Sequence, residues 1–207
     1  MEFSDVLRRR RMVRAYQHRP VDRAVLDRVI DAGLRAPSAG FSQGSAFVVL
    51  EGDRTTQFWQ ATERSGSAPI PGGRLANLRD APVVVVPFAH KSTYLERYSE
   101  PDKAGLGLSD ERGWPVPYWD VDTAFAVMAI LLAATDAGLG ALFFGLFTGD
   151  HDLRAVLGVP DGFRAIGAIT LGWPAPDQPS PSLARGRRPR SQRVHYGSWN
   201  DIWTPRN

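Results

Sequence analysis

The stretch from Trp119 to Ala137 is the longest helix the sequence predicts, and after Asp122 it is almost entirely apolar. A helix that is apolar all round is buried, either in a core or between subunits. Gly138-Leu139-Gly140 stops it. Such a segment commits the chain to a substantial hydrophobic interior, and 207 residues are enough to build one. The sequence therefore reads as one domain over residues 1–207, with no internal repeat.

Around that helix the pattern alternates between helices and short strands. Ser4-Asp5 opens a first helix. Pro20-Val21-Asp22 opens a second, whose buried face is expected at Leu26, Ile30 and Leu34, with Val25 and Val29 beside them. Ala46–Leu50 and Val83–Val86 are β-branched apolar runs and predict buried strands. A helix is expected over Asp53–Glu63 and a loop over 65–73. Ala141–Phe147 and Ala165–Gly172 predict two further strands, and Asp150 is expected to cap a short helix that ends at Gly158. Residues 91–117 show no regular period, and a segment that long inside a domain is usually functional or mobile. The tail 174–207 is rich in Pro, Ser and Arg yet carries Trp199 and Trp203, so it is expected to pack on something, such as a partner subunit.

Several function classes have no support. There is no cysteine, hence no disulfide and no thiol chemistry. His18, His90, His151 and His195 have no metal-ligand spacing. No G-x-G-x-x-G, P-loop or G-x-S-x-G pattern occurs in the required context. Asp120 and Asp122 read as acids at a helix N-terminus. No apolar run approaches the roughly 20 residues of a membrane span. No signal-peptide pattern is seen, so a cytoplasmic location is expected.

Arginine dominates the basic residues; Lys91 and Lys103 are the two lysines. Arg8, Arg9, Arg10, Arg11 and Arg14 crowd the start, and Arg185, Arg187 and Arg188 stand near the end. On a helix Arg10 and Arg14 share a face, as do Arg11 and Arg14. Guanidinium groups so close repel unless an anion lies between them, and phosphate accepts their forked bonds well. A solvated basic stretch is the alternative. Nucleic-acid binding lacks an accompanying motif. Ala36-Pro37-Ser38-Ala39-Gly40-Phe41-Ser42-Gln43 lies between a helix and a strand. Its small residues allow close approach to a flat ligand, with Ser38 and Gln43 as neutral hydrogen-bond partners; an ordinary turn has the same composition.

Five segments together resemble the nitroreductase family of flavoproteins. Arg10-Arg11-Met12-Val13-Arg14-Ala15-Tyr16 with Pro20-Val21 is similar to its "RRSxRxF…PV" opening. Ala36–Gln43 through Phe47-Val48-Val49 resembles "APSxxNxQPWxFVVV". Gly138-Leu139-Gly140 to Gly145 is similar to "GLGxxxxG". Leu171-Gly172-Trp173-Pro174 and Arg185-Gly186-Arg187-Arg188-Pro189 resemble "LGYP" and "KxRRP". The order and spacing agree over nearly the whole chain. The chain departs from the pattern at Met12 for serine, at Phe41 for asparagine, and at Gly44-Ser45 for the Pro-Trp pair. Phe41 and the lost Pro-Trp imply a reshaped pocket.

The resemblance implies an α+β fold, with a mixed, mainly antiparallel central sheet flanked by helices, in an intertwined homodimer with FMN at the interface. The apolar helix would lie in the dimer core, and the tail would wrap the partner. Arg10, Arg11, Arg14, Arg185 and Arg187 would hold the phosphate and ribityl end. Pro37, Ser38, Ala39 and Gln43 would line the flavin. Phe144, Gly145 and Leu146 would present backbone to its ring, and Arg74 or Asn77 would approach the pyrimidine edge. Segment 91–117 would be a lid, with Phe41, Trp114, Tyr118 and Trp119 around an acceptor. The implied activity passes two electrons from NAD(P)H through FMN to a flat organic acceptor, such as a nitroaromatic or quinone, by a ping-pong mechanism. The chemistry is borne by the flavin, and Arg14 stabilises its negative reduced form. A deazaflavin donor is a further possibility. The alternatives are a flavin-holding protein for storage or sensing, and the flavin-converting branch that makes dimethylbenzimidazole. That branch has an aspartate where Met12 stands, which counts against it.

Overall fold

Val83–Val86, the strongest strand prediction, lies at the centre of the fold. In the computed structural model, which describes residues 1–63 and 76–199, strand β2 spans Val83–His90. Val83, Val84, Val85 and Val86 are each fully buried. Each contributes about 1.5–3 kcal/mol relative to an exposed side chain. A strand apolar on both sides needs a layer on each face, and it has them. Val83 and Val85 pack with helices α2 (Arg23–Leu34) and α5 (Tyr118–Asp136). Val84, Val86 and Phe88 pack with α3 (Asp53–Glu63) and α6 (Asp150–Leu157).

Among the described residues the sheet has five strands. β1 (Ser45–Glu51), β2, β5 (Ala168–Gly172) and β3 (Gly140–Phe144) lie in that spatial order, and β4 (Phe163–Ala165) also pairs with β2. All these pairings are antiparallel, with Val48 opposite Val86, Val84 opposite Thr170 and Leu142 opposite Thr170. The mixed character comes from one parallel bridge, Met12 to Ala141. The strand expected over Ala165–Gly172 is two strands, parted at Ile166-Gly167.

Four helical expectations differ from the structure. The first helix, α1, spans Phe3–Arg9 and stops before Arg10, so Arg10, Arg11 and Arg14 are not on a helix. On α2 the buried residues are Leu26, Val29 and Gly33, whereas Leu34 is 62% exposed. The face turns because α2 packs closely on α5: a Cβ on Gly33 would lie 2.7 Å from Ile130 Cγ1. Segment 91–117 is not wholly irregular, since α4 occupies Lys91–Arg97 and a 3-10 turn occupies Glu111–Gly113. At α6 the N-cap is Gly149, with φ 79°, and Asp150 is the first helical residue. The loop expected over 65–73, Arg74 and Trp203 lie outside the described residues.

Helix α5 is buried along Trp119, Asp122, Thr123, Ala126, Val127, Ile130, Leu131 and Ala134. Its opposite side leaves Phe125 50% and Met128 46% exposed. By length and composition α5 could cross a membrane, contrary to the sequence reading. Here the sheet and α2 cover one side of it, and that side includes the polar Asp122 and Thr123. The chain divides into two units, Met1–Pro176 and Asp177–Asn207. The second unit contains 3-10 turns at Pro181–Arg185 and Arg190–Gln192, an Arg190–Tyr196 hydrogen bond and a stacked His195–Trp199 pair.

Candidate functional site

Beyond α1 the chain is extended. Val13 N–H donates to the Ala141 carbonyl at 3.0 Å, which fixes the arginine segment against the start of β3. Tyr16 locks it further: its hydroxyl lies 2.8 Å from Thr170 Oγ1 and donates to the Val13 carbonyl at 3.0 Å. The two-residue period of an extended chain puts Arg10, Met12 and Arg14 on one side and Arg11 on the other. Arg11 is exposed and Arg8 is paired with Asp5. Arg10 and Arg14 are half-buried, and Arg14 Nη1 donates to the Met12 carbonyl at 3.1 Å. Arg10 Nη1 is buried with no hydrogen-bond partner among the described residues. A guanidinium nitrogen removed from water without an acceptor is costly. A phosphate oxygen is the kind of group that would satisfy it.

At the other end of β3, Phe144 is half-buried and stacked on Trp59, with ring centroids 5.8 Å apart and planes 6° apart. Gly145 and Leu146 follow, and Phe147 is 95% exposed. A Cβ on Gly145 would lie 3.1 Å from the Phe147 ring.

The segment between α2 and β1 is held from beneath. Ala39 N–H donates to Asp122 Oδ2 at 2.7 Å, and the Tyr94 hydroxyl donates to the same oxygen at 2.9 Å. Arg97 Nε donates to the Gly40 carbonyl at 3.0 Å and grips Asp102 with both Nη atoms at 2.7 Å. Inside the loop, Ser38 Oγ accepts from Gln43 N–H at 3.0 Å. Gly40, Phe41 and Gln43 have φ of 60°, 56° and 55°. For the two non-glycine residues that left-handed backbone costs about 1–3 kcal/mol each. Such strain persists only where neighbours enforce it. Gly40 and Gly44 are where α4 does so: Cβ atoms there would lie 2.7 Å from the Tyr98 ring and 2.5 Å from the Tyr94 ring. Burial, with Asp122 second, pushes the Tyr94 phenol well above its ordinary value.

Pro37, Phe41 and Gln43 are exposed, and Ser38 and Ala39 are half-buried. Trp114 packs against Tyr94, Tyr98, Tyr118 and Trp119, and its Nε1 donates to the Leu108 carbonyl at 2.7 Å. Trp119 is 7% exposed and belongs to the core with Tyr94 and Ala89. What Trp119 keeps open faces a cavity that it lines with Lys91, Asp120 and Arg164. Phe41 is exposed and Tyr118 half-buried. Asn77 is exposed in the 3-10 turn Ala76–Asp80. Arg185 and Arg187 are exposed in the second unit.

The structure thus gathers the expected residues into separate groups. β1 begins opposite the end of β2 (Ser45 with Ala89), and β5 begins opposite the end of β3 (Ala168 with Phe144). The loop 37–43 and Gly145 therefore share one end of the sheet. They lie on its two outer strands, three strand spacings or about 14 Å apart. The arginine segment joins β3 at Ala141, the opposite end of the same strand. Sequence reasoning missed Asp122, Tyr94 and Arg97. The available signal was an aspartate set inside an apolar helix, since such a residue is rarely buried without partners.

The profile of the nitroreductase family matches residues 7–173, and the chain belongs to that family. The NADH dehydrogenase of Thermus thermophilus is 27% identical over 180 residues, covering 81% of this chain and 84% of its own length. Among solved structures, a nitroreductase family protein of Clostridium difficile superposes with a TM-score of 0.70 at 23% identity, covering 96% of this chain and 99% of its own. An FMN-dependent nitroreductase of the same species superposes at 0.66 with 21% identity, covering 94% and 98%.

Proposed function

We propose that this chain is an FMN-dependent oxidoreductase that takes two electrons from NAD(P)H and passes them, by ping-pong turnover at one site, to a flat organic acceptor. The observation that carries the reading is the buried Arg10 Nη1, which has no hydrogen-bond partner among the described residues, on the same side as Arg14 of a segment anchored to β3 in a member of the nitroreductase family. FMN would supply the two-electron chemistry when bound. Arg10 and Arg14 hold its phosphate and ribityl end, joined by Arg185 and Arg187, while Arg11 faces away on the other side of the segment. The backbone of Phe144, Gly145 and Leu146 faces the ring, and Arg14 offsets negative charge on the reduced cofactor. Pro37, Ser38, Ala39 and Gln43 line the ring. Phe41 and Tyr118 offer aromatic surface to the acceptor, with Trp114 behind them and segment 91–117 covering the site.

A single chain leaves loop 37–43 across the sheet from Gly145, so the site is completed by a second copy. The exposed Phe125 and Met128 side of α5 is the surface that pairs the two chains, and the tail wraps the partner. The homodimer works in the cytoplasm, where its nicotinamide donor is found.

The purified protein is expected to be yellow, with a flavin absorption spectrum that NADH or NADPH bleaches anaerobically on the stopped-flow timescale. A colourless protein that takes up no added FMN would overturn the reading. Arg14→Ala and Arg187→Ala are each expected to weaken FMN binding about 10-fold, or 1.4 kcal/mol, as read by fluorescence titration.

A further inference from the structure

The loop 38–43 combines an expensive backbone with an exposed position. Phe41 is 76% exposed and left-handed, and Gln43 is left-handed and exposed as well. Exposed residues with side chains relax from such conformations unless something holds them. The loop's own contacts are short: Ser38 Oγ accepts from Gln43 N–H, and Ser42 Oγ donates to the Ala39 carbonyl at 2.6 Å. Its backbone also closes on itself, Phe41 N–H donating to the Ser38 carbonyl at 2.9 Å and Ser42 N–H to the Ala39 carbonyl at 3.1 Å. Two helices hold it from outside. Asp122 lies on α5 and is 4% exposed. One of its oxygens accepts from both Ala39 N–H and the Tyr94 hydroxyl. Tyr94 on α4 is fully buried, and its ring fills the space above Gly44. Arg97, one turn further along α4, reaches the Gly40 carbonyl. On α5 the neighbouring Thr123 hydroxyl lies 2.9 Å from Ser45 Oγ, where the loop enters β1.

We infer that Asp122 is a positioning residue: its buried carboxylate, with Tyr94 and Arg97, holds loop 38–43 in its left-handed form before any flavin arrives. A part-buried backbone N–H and a buried phenol that share one carboxylate oxygen are costly to orphan. The same bond therefore ties the loop to two helices. Removing the carboxylate frees Ala39 and lets Phe41 and Gln43 return to ordinary backbone. The flavin then has to reorder the loop when it binds, and its affinity falls. This inference rests on the flavin reading for what the loop faces, but the holding of the loop stands apart from it.

Hydrogen exchange on the apo-protein and FMN titration separate the two. In Asp122→Ala the amides of residues 39–43 are expected to lose protection in the apo-protein, and FMN binding is expected to weaken about 10-fold. Asp122→Asn keeps an oxygen able to accept both bonds, so it is expected to restore most of both readouts. Leu153→Ala, which opens a cavity between α3 and α6, serves as a control of comparable thermal stability. It is expected to keep wild-type loop protection and FMN affinity. If Asp122→Ala does not fold, Tyr94→Phe removes one of the two bonds and is expected to move both readouts less, in the same direction. Wild-type protection and affinity in Asp122→Ala or in Tyr94→Phe would overturn the inference, as would an equal loss in Leu153→Ala. A wild-type protein that takes up no FMN would sink the flavin reading instead, and the exchange pattern would still decide whether Asp122 holds the loop.

Discussion

Tyr94 is the residue on which loop, helix and core meet, and it makes stability depend on pH in a definite direction. Burial and the adjacent Asp122 hold its phenol well above its ordinary value, so the folded chain keeps a proton that the unfolded chain releases near pH 10. The stability this contributes is fully present below about pH 10. It is lost as pH rises from there toward the folded value. Each pH unit in that window removes about 1.4 kcal/mol for one proton. Denaturant titrations at pH 9, 10 and 11 are expected to show a steeper alkaline decline in wild type than in Tyr94→Phe, which has no phenol to ionise. At neutral pH the variant is less stable by about 1.5–3 kcal/mol, the net worth of one hydrogen bond to a carboxylate. Parallel alkaline slopes would refute the assignment. None of this was legible in the sequence, where Tyr94 stands in a segment without periodicity. The seven-residue helix that carries it is too short to display an apolar stripe. Phe41 and Gln43 were legible as loop residues but not as left-handed ones, because their intrinsic preferences oppose that backbone and only the clamp beneath them overrides it.

At the scale of the element, the spacing of apolar residues identified the helices but not always the buried side. α2 carries Leu26, Ile30 and Leu34 at i, i+4 spacing, yet it turns Leu26, Val29 and Gly33 inward. The deciding contact is the close approach of Gly33 to Ile130, and no pattern within α2 reports what α5 places opposite it. Leu26→Ala is therefore expected to cost about 2–5 kcal/mol. Leu34→Lys is expected to change stability by no more than about 0.5 kcal/mol. Thermal denaturation of the two variants checks this, and a large loss from Leu34→Lys would mean that a partner covers that position. The arginine segment shows the same lesson from the other side. Its spacing reads as helical in the sequence, but the bridge from Met12 to Ala141 makes it extended. Arg10 and Arg14 stay on one side either way, since four residues complete two strand periods and roughly one helical turn. Their grouping was legible for a reason that did not depend on the element.

At the scale of the whole molecule, the sheet order determines what one chain can do. β1 and β3 are the outer strands, so the loop that enters β1 and the turn that leaves β3 cannot close on one ring within a chain without bridging about 14 Å. The long apolar α5 was legible as a segment that must be covered. Its division into a buried side and an exposed Phe125–Met128 side came only from the packing. If a second copy supplies loop 37–43 to the arginine side of the first, two kinds of defective subunit complement each other. Co-expression of Arg14→Ala with Gly40→Trp, whose new side chain would strike Tyr98 and distort the loop, gives heterodimers. In these, one site combines both defects and the other combines neither. FMN content of the isolated heterodimer is expected to approach one per dimer at near wild-type affinity, although each homodimer binds weakly. If instead each chain completed its own site, both sites of the heterodimer would carry one defect and no tight site would appear. Phe125→Asp is expected to abolish the rescue by separating the chains, which sedimentation reads directly. A heterodimer that binds FMN only as weakly as its parents would show that loop and arginines serve the same flavin within one chain.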